Sequence, residues 1–460
     1  EAPWPGWIRY GGYFNENNNW WPHFHLLNQY KARLSALLQN CDMYADIALL
    51  PPMADMWSLI GMQNEPFPSV LHAEHLSLVW EAITKNGSGC DYISERILRD
   101  ASVEGKKLCY GPRKYHTLFL VSVESLSPDS ARKMLQLVRA GGRIFCIGTV
   151  PSKSTGWSNH ESNDGEVKLL VEKMKAYPNR FIVLEKPEKD FIGWYRTVQE
   201  RYRIDPWIRI ETPDPFLMQS RYSADDGSEY VFMINSNLHE SRNTRVHFSA
   251  GLIRRHNCSV WNPETGGRMR VQPDHDGGVS LEMGPAESLV FAFDREKPEE
   301  EWRPLPVSGR DTLLFDRGWT AGFRHCRDGS VKEVNIDRLT DLKEMPEFVY
   351  FSGTVTYHTT MECKDPEGMI LNLGKVYGTS ELKINGVSCG IKWYGRRIFS
   401  IEKYLKPGIN DIEVIVTTSM GNYMKSLTDN PVAQYWTNAG TKNQPLQSMG
   451  MTGPVSCYKT

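Results

Sequence analysis

Aromatic and arginine side chains near the end of the chain form the clearest ligand-binding pattern in the sequence. Trp393, Tyr394, Arg396 and Arg397 lie close together, and Tyr377 precedes them. Aromatic faces stack against the C–H groups of a sugar ring, while guanidinium groups donate hydrogen bonds to its hydroxyls. The pattern predicts that Trp393 and Arg396 bind a sugar. The alternative is that the rings pack in a core beside a solvated basic turn.

Other reactive residues lack the spacing that their chemistry requires. The cysteines form no CxxC pair, and His23 and His25 are two residues apart, which does not place them on one helix face. The acidic loops at 225–227 and 274–276 lack the spacing of an EF-hand calcium loop. The glycine pair at 141–142 precedes a strand instead of opening a helix, unlike a phosphate-binding loop. We predict no metal site and no nucleotide site in this chain.

The composition excludes two classes of partner. The chain has 460 residues, 40% hydrophobic and 23% charged, which is typical of a globular protein of several domains. Its 53 Lys and Arg are balanced by 55 Asp and Glu, whereas nucleic acids and anionic membranes attract proteins with a basic excess. No apolar run approaches the roughly 20 residues of a membrane span. We predict no nucleic-acid partner and no membrane span.

Hydrophobic periodicity predicts the elements that must position these residues. The first 43 residues predict one strand at 7–10, a polar loop and a helix at 22–40. Residues 44–212 alternate buried strands (45–51, 91–94, 115–121, 143–148) with helices (71–86, 127–138, 167–176, 191–202), which is typical of a parallel α/β sheet. Residues 213–297 show six alternating strands and predict a small antiparallel β-sandwich. A charged linker then leads into a second β-rich region at 298–460, where Asn385 and Gly386 predict a tight hairpin.

Several sequence motifs resemble one known family. The stretch FNENNNWW at 14–21, followed by a helix and by YADIALL at 44–50, resembles glycoside hydrolase family 106, the α-L-rhamnosidase-like family. Residues 91–98, with AGGR at 140–143, resemble the amidotransferase-like α/β domain that follows the catalytic barrel in several glycosidase families. WNPETG at 261–266 resembles the β-sandwich of the family. LNLG at 371–374, KING at 383–386 and LKPGIN at 405–410 resemble its galactose-binding-like jelly roll.

The resemblance implies four domains and a function. It makes residues 1–43 the last β/α unit of a catalytic (β/α)8 barrel, 44–212 the amidotransferase-like domain, 213–297 the β-sandwich and 298–460 the jelly roll. The family hydrolyses terminal α-L-rhamnosides or related deoxysugar linkages in polysaccharides by a metal-assisted inverting mechanism. Its catalytic carboxylates lie on earlier barrel strands, so the resemblance implies that this chain is the C-terminal portion of the enzyme and inactive alone. By the same resemblance, Asn15, Asn17, Asn18 and Trp20 bind substrate.

The sequence carries less information about the catalytic residues and about the cellular location. Glycoside hydrolysis uses two carboxyl groups that flank the scissile bond. Glu16 and Glu1 lie on loops of the barrel-like segment, which makes Glu16 a weak catalytic candidate and leaves the catalytic residues unknown. No cofactor is evident, although the full-length enzyme could hold Ca²⁺. The substrate class implies a periplasmic or extracellular location, and the partners would be an oligo- or polysaccharide and the absent barrel segment.

Two other functions remain open. The chain could be a non-catalytic carbohydrate-binding or scaffold protein in which the jelly roll binds the ligand. It could also be a complete enzyme that uses Glu16 or Glu1. An amidotransferase activity is not expected, because the strand at 115–121 is followed by Ser122, Val123 and Glu124 and not by a cysteine on a Gly-rich turn.

Overall fold

The computed structural model describes residues 14–59, 75–254, 256–430, 433 and 445–460. Across these ranges the protein is mostly β, with several sheets and some helices, as the sequence predicts. The strand predicted at 7–10, and Glu1 with it, lie outside the described residues. None of the described helices is long and apolar enough to cross a membrane.

The opening segment consists of a polar turn and one long helix. A short 3₁₀ turn, Trp21–His23, leads into helix α1, Phe24–Leu38, and then into strand β1, Cys41–Met43. Pro22 lies in the first turn, where a backbone N–H would have no acceptor within the helix, so the N–H group that proline lacks is not needed. The helix predicted at 22–40 is therefore confirmed.

The next region is built on five parallel strands in the order β3-β2-β7-β8-β9. Its elements in chain order are β2 (Ile47–Leu50), α2 (Met53–Leu59), α3 (Leu76–Lys85), β3 (Cys90–Tyr92), α4 (Glu95–Asp100), β4 (Ser102–Glu104), β5 (Lys107–Tyr110), β6 (Arg113–Tyr115), β7 (Thr117–Val121), α5 (Pro128–Arg139), β8 (Arg143–Ile147), α6 (His160–Lys175), β9 (Phe181–Leu184) and α7 (Phe191–Arg201). Strand β10 (Ile208–Ile210) follows and pairs with a strand of the third region.

The parallel sheet forms because its central strands are apolar on both faces. Every residue of β2 and β7 is buried, and separate hydrophobic clusters cover the two faces of the sheet. Ser127 begins helix α5 by accepting a hydrogen bond from the backbone N–H of Ser130, and Pro128 occupies the first turn. The predicted parallel sheet is confirmed. The sequence interpretation missed edge strand β9 and the antiparallel β4-β5-β6 meander, whose strands have three or four residues each.

The third region is an antiparallel sandwich of two sheets, as predicted, with the orders β1-β11-β12-β17-β14-β15 and β10-β13-β16. Its elements are β11 (Leu217–Ala224), β12 (Glu229–Asn235), β13 (Arg242–Phe248), α8 (Ala250–Ile253), β14 (Asn257–Trp261), β15 (Arg268–Arg270), β16 (Gly278–Met283) and β17 (Ser288–Asp294). Strand β1 pairs with β11 in the register Cys41↔Ala224. The opening segment is thus joined to the sandwich by main-chain hydrogen bonds.

The last region also has two main antiparallel sheets, β18-β29-β22-β26 and β20-β19-β21-β27-β24-β25, with a short β23-β28 ribbon. Its elements are β18 (Arg310–Leu314), β19 (Trp319–His325), β20 (Val331–Ile336), β21 (Gly353–Cys363), β22 (Met369–Asn372), β23 (Lys375–Tyr377), β24 (Thr379–Ile384), β25 (Val387–Lys392), β26 (Ile398–Ser400), β27 (Gly408–Thr417), α9 (Gly421–Ser426), β28 (Gly450–Gly453) and β29 (Ser456–Lys459).

The core of this last region includes residues from both main sheets, among them Trp319, Leu382 and Cys457. Asn385 and Gly386 both have positive φ, 51° and 80°, and connect β24 to β25, which confirms the predicted hairpin. Strand β29, the last strand in chain order, pairs with β18 and β22 and therefore lies in the interior of the four-stranded sheet.

Candidate functional site

Helix α1 lies between the sandwich and the last β region and contacts both. The Tyr30 hydroxyl is 2.8 Å from Ser288 Oγ in the sandwich, and Arg33 Nη1 donates to the backbone oxygen of Glu264 at 2.5 Å. On the other side, the Tyr30 ring meets Trp393 edge-on, with the ring centroids 5.7 Å apart. The helix therefore fixes the position of the aromatic residues that the sequence singled out.

The Asn-rich turn before α1 binds the last β region through an asparagine that the sequence interpretation did not select. Asn19 Nδ2 donates to Ser352 Oγ at 2.7 Å and to the backbone oxygen of Thr418 at 3.0 Å. Asn15 Oδ1 instead accepts the backbone N–H of Asn17 at 3.1 Å, which stabilises the turn itself. These contacts hold the turn against the end of β27.

A cavity of about 430 Å³ opens between the start of α1 and the last β region, and we call it the α1 cavity. Its described lining includes Trp20, His23, Phe24, Leu27, Val376, Tyr377, Gly378, Thr379, Trp393, Arg397, Thr417, Thr418 and Ser419. Two residues predicted to bind substrate, Trp20 and Trp393, are thus brought to one cavity although they are far apart in the sequence. Asn15, Glu16, Asn17 and Asn18 do not belong to its described lining, and Glu16 and Asn17 are exposed on the turn.

A second cavity of about 420 Å³, which we call the basic cavity, lies between loops of the sandwich and the last β region. Its described lining includes Leu238, His239, Ser241, Pro285, Ala286, Asn372, Lys375, Val376, Tyr377, Trp393, Tyr394, Arg396 and Arg397. The two cavities share the wall formed by Val376, Tyr377, Trp393 and Arg397. Trp393 therefore offers aromatic surface to both.

Arg396, predicted to bind sugar, forms ion pairs across this domain boundary. Its Nη2 lies 3.0 Å from Glu287 Oε2, and its Nη1 lies 3.8 Å from Glu282 Oε1, while its side chain is 15% exposed. The two glutamates belong to the sandwich, and Arg396 follows β25 of the last region. Its charge is therefore largely satisfied within the protein, and the pairs join the two domains.

Replacing Arg396 by alanine is expected to lower the free energy of unfolding by about 2 kcal/mol, because it leaves Glu287 partly buried without its cation. Chemical denaturation of the variant and the native chain measures the difference. Arg303, which is 82% exposed and pairs with Glu301, provides the matched control, since an exposed pair contributes little. Equal stability of Arg396→Ala and Arg303→Ala would show that the domain boundary does not depend on this pair.

Arg397 is the charged residue of the shared wall. The residue is 7% exposed, and its Nη1 and Nη2 donate to the backbone oxygens of Gly395 at 2.7 Å and Gly378 at 3.1 Å. Its Nε is buried without a hydrogen-bond partner, and the residue forms no ion pair with any described residue. Burial lowers the pKa of its guanidinium to about 10, and the charge of Glu264 opposes that shift. The group is still cationic at neutral pH.

His23 contributes an imidazole to the α1 cavity, and its Nε2 lies 3.2 Å from Thr417 Oγ1. Burial lowers the pKa of His23 below its ordinary value of 6.5; the charge of Glu381 opposes the shift and that of His25 adds to it. The imidazole is therefore neutral near pH 7. Its Nε2 can form a hydrogen bond either with Thr417 or with a ligand hydroxyl.

The stability of the native chain is expected to fall as the pH drops below 6.5, in part because of His23. Below that value the unfolded chain takes up a proton that the folded chain resists, so the contribution is present above 6.5 and is lost as the pH falls through the lowered pKa. The thermal midpoint of the native chain, measured from pH 8 to pH 5, should fall more steeply with decreasing pH than that of His23→Gln. Parallel curves over that range would contradict this assignment.

Neither cavity contains an aspartate or glutamate in its described lining. Acid–base cleavage of a glycosidic bond by a pair of protein carboxyl groups therefore has no donor there. Both aspartates of the acidic loop at 274–276 form ion pairs with Arg245, whose Nη2 lies 2.6 Å from Asp274 Oδ2 and 3.0 Å from Asp276 Oδ1. Within the described ranges, no group of three or more His, Cys, Asp or Glu side chains could hold a metal ion.

Sequence reasoning did not select three residues that the structure places at the site. Asn19 stood among other asparagines, and only its contacts with Ser352 and Thr418 distinguish it. Lys375 follows a glycine at the start of β23 and gave no local signal. Arg397 was visible beside Arg396, but its burial depends on residues that are distant in the sequence.

Comparison with known proteins relates the fold to glycoside hydrolases. No family model matches the chain. The structure of a rhamnosidase from Novosphingobium sp. PP1Y matches 97% of this chain with a TM-score of 0.62 at 20% sequence identity, and the match covers 42% of that protein. A protein named "Putative beta-glucuronidase" from Formosa agariphila is 23% identical over 297 residues, which are 63% of this chain and 23% of that protein. The chain thus shares the fold of part of a rhamnosidase and spans less than half the length of either relative.

Proposed function

We propose that the chain is the C-terminal portion of a glycoside hydrolase that acts on terminal α-L-rhamnosides or related deoxysugar linkages in polysaccharides. Support comes from the fold, which follows part of a rhamnosidase over nearly the whole chain. It also comes from the α1 cavity, where Trp20 and Trp393 offer aromatic faces and His23 and Thr417 offer polar atoms. A sugar ring requires this combination of apolar and hydrogen-bonding surface.

One observation carries the proposal: aromatic side chains line both cavities, and no carboxylate belongs to the described lining of either. The two cavities can bind a sugar, but their described lining offers no carboxyl group that could act as general acid or base. In our proposal the catalytic carboxylates, and any Ca²⁺, belong to a barrel segment outside this chain, and residues 1–43 complete that barrel. The segments 44–212, 213–297 and 298–460 then serve as the amidotransferase-like domain, the β-sandwich and the galactose-binding-like jelly roll. A polysaccharide substrate places the enzyme in the periplasm or outside the cell.

The proposal is tested by hydrolysis of an aryl α-L-rhamnoside. We expect no hydrolysis by the 460-residue chain and measurable hydrolysis by a protein that also contains the upstream barrel. Within that longer protein, Glu16→Gln should keep kcat within a few-fold, because Glu16 is exposed on a turn outside both cavities. Efficient hydrolysis by the 460-residue chain, lost in Glu16→Gln, would instead identify a complete enzyme.

A non-catalytic carbohydrate-binding protein is the second candidate, and the absence of carboxylates from both described linings favours it as well. The two candidates differ in the longer protein. Binding of sugar without hydrolysis, in the presence of the upstream segment, would establish the binding function and reject the hydrolase.

A further inference from the structure

The basic cavity carries an excess of positive charge that nothing described in it neutralises. Lys375, Arg396 and Arg397 line it, and its described lining contains no carboxylate. Arg396 is neutralised from outside the cavity by Glu287 and, at a greater distance, by Glu282. Lys375 is exposed, and neither it nor Arg397 forms an ion pair with a described residue. Two positive charges therefore remain available to a ligand in this cavity.

Arg397 forms no ion pair with a described residue, although the charge of Glu264 acts on it from beyond ion-pair distance. A guanidinium has five N–H donors, and the described residues accept hydrogen bonds from only two of its nitrogens, Nη1 and Nη2. Nε is enclosed and has no partner. Burial of a charge is unfavourable unless the charge is paired and hydrogen-bonded, and here more than nine-tenths of the residue is buried. A negative group in the cavity would complete the hydrogen bonding of the Nη atoms and compensate the charge.

Aromatic rings line the same cavity as this cation. Tyr377, Trp393 and Tyr394 line the same cavity, and the Trp393 and Tyr394 ring centroids are 4.5 Å apart. The cavity volume of about 420 Å³ is within the range of small-molecule sites. The site therefore combines an aromatic surface for a ring with cations for an anionic substituent on that ring.

We propose that the basic cavity binds a carboxylate-bearing sugar, a uronic acid residue, with its carboxylate on Arg397 and Lys375 and its ring against Trp393. A guanidinium matches the planar carboxylate with two parallel hydrogen bonds, and Lys375 adds a second charge from the exposed rim. The inference rests on the proposed carbohydrate function and extends it, because the polysaccharide substrate would then carry uronic acid residues near the cleaved deoxysugar.

Calorimetric titration of the 460-residue chain at low salt tests this proposal with three matched probes: methyl β-D-glucuronide, methyl β-D-glucoside and methyl β-D-glucoside 6-sulfate. We expect the glucuronide to bind at least about tenfold more tightly than the glucoside, which has a neutral hydroxymethyl group in place of the carboxylate. Equal binding of the glucuronide and the glucoside, or no binding of either, would overturn the proposal. Tighter binding of the sulfate than of the glucuronide would also overturn the assignment to a carboxylate.

Variants locate the binding and separate folding from recognition. Lys375→Met removes an exposed charge and should reduce the preference for the glucuronide about threefold or more, while Arg397→Lys should lose most of it, because lysine lacks the planar fork. Thermal midpoints establish whether the Arg397 variant is folded. Arg303→Met, which removes an exposed cation outside the cavity, should leave the preference unchanged. If Lys375→Met and Arg397→Lys both fold and retain the full preference, the anion site lies elsewhere and the assignment fails.

A parallel titration with methyl α-L-rhamnoside distinguishes this proposal from the hydrolase proposal. Rhamnoside binding that is lost in Trp20→Ala, without any preference for glucuronide, would overturn only the anionic site, since Trp20 lines the α1 cavity alone. A glucuronide preference that depends on Arg397, together with no rhamnoside hydrolysis by the longer protein, would support the anionic site and reject the hydrolase.

Discussion

Replacing Trp393 by alanine should weaken sugar binding by this chain roughly tenfold to a hundredfold. Trp393 lines both cavities, so its removal takes aromatic surface from either position that a sugar ring could occupy. A tryptophan that a bound ligand covers typically contributes about 2 kcal/mol or more to binding. Titration with methyl α-L-rhamnoside and methyl β-D-glucuronide measures the effect.

The control for this experiment is an exposed tryptophan outside the two cavities. Trp157 is 86% exposed and stacks on His160, and Trp157→Ala should bind both sugars as the native chain does. Trp393 also packs against Tyr30 and Tyr394, so Trp393→Phe provides a second, less disruptive variant with an intermediate affinity. Unchanged affinity in folded Trp393→Ala would remove the shared wall from the account of sugar binding.

Replacing Gly87 by alanine should lower the free energy of unfolding by roughly 2–5 kcal/mol, as measured by chemical denaturation. Gly87 has φ of +85°, which a residue with a Cβ adopts at a cost of about 1–2 kcal/mol. A Cβ at this position would also lie 1.7 Å from the backbone oxygen of Ile208, and relief of that overlap adds roughly 1–3 kcal/mol. The contact joins the end of α3 to β10, so the substitution acts on the junction between the α/β region and the sandwich.

Gly105 is the matched control for Gly87, because its φ is also positive, +56°, but a Cβ there would meet nothing within 4 Å. Gly105→Ala should therefore show only the backbone contribution of about 1–2 kcal/mol. If the two substitutions are equally destabilising, the close approach of Gly87 to Ile208 does not constrain the junction.

The sequence predicted those parts of the fold that depend on local patterns. The continuous apolar run at 47–50 predicted a buried parallel strand, and the Asn385–Gly386 pair predicted a tight hairpin, because both signals are contained in a few adjacent residues. Gly87 directly follows the helix predicted at 71–86. Its second constraint, the approach of Ile208, comes from a residue more than a hundred positions later and has no local signal.

The site was less predictable because its residues meet through long-range packing. The aromatic and basic character of the segment around Trp393 was visible in the sequence, but its partners Trp20 and Lys375 come from other parts of the chain. Arg396 and Arg397 are adjacent and chemically identical. Only the fold gives Arg396 two glutamates across a domain boundary and leaves Arg397 buried without an ion-pair partner among the described residues.

The central claim is that this chain contributes a sugar-binding surface to an enzyme whose catalytic carboxylates lie in another segment. A crystal structure of the longer protein with a bound rhamnoside tests it most directly. The account predicts electron density for the sugar against Trp20 and Trp393, with no carboxyl group of residues 14–460 in contact with the glycosidic oxygen. A sugar held elsewhere in this chain, with its glycosidic bond between two of the chain's own carboxyl groups, would contradict it.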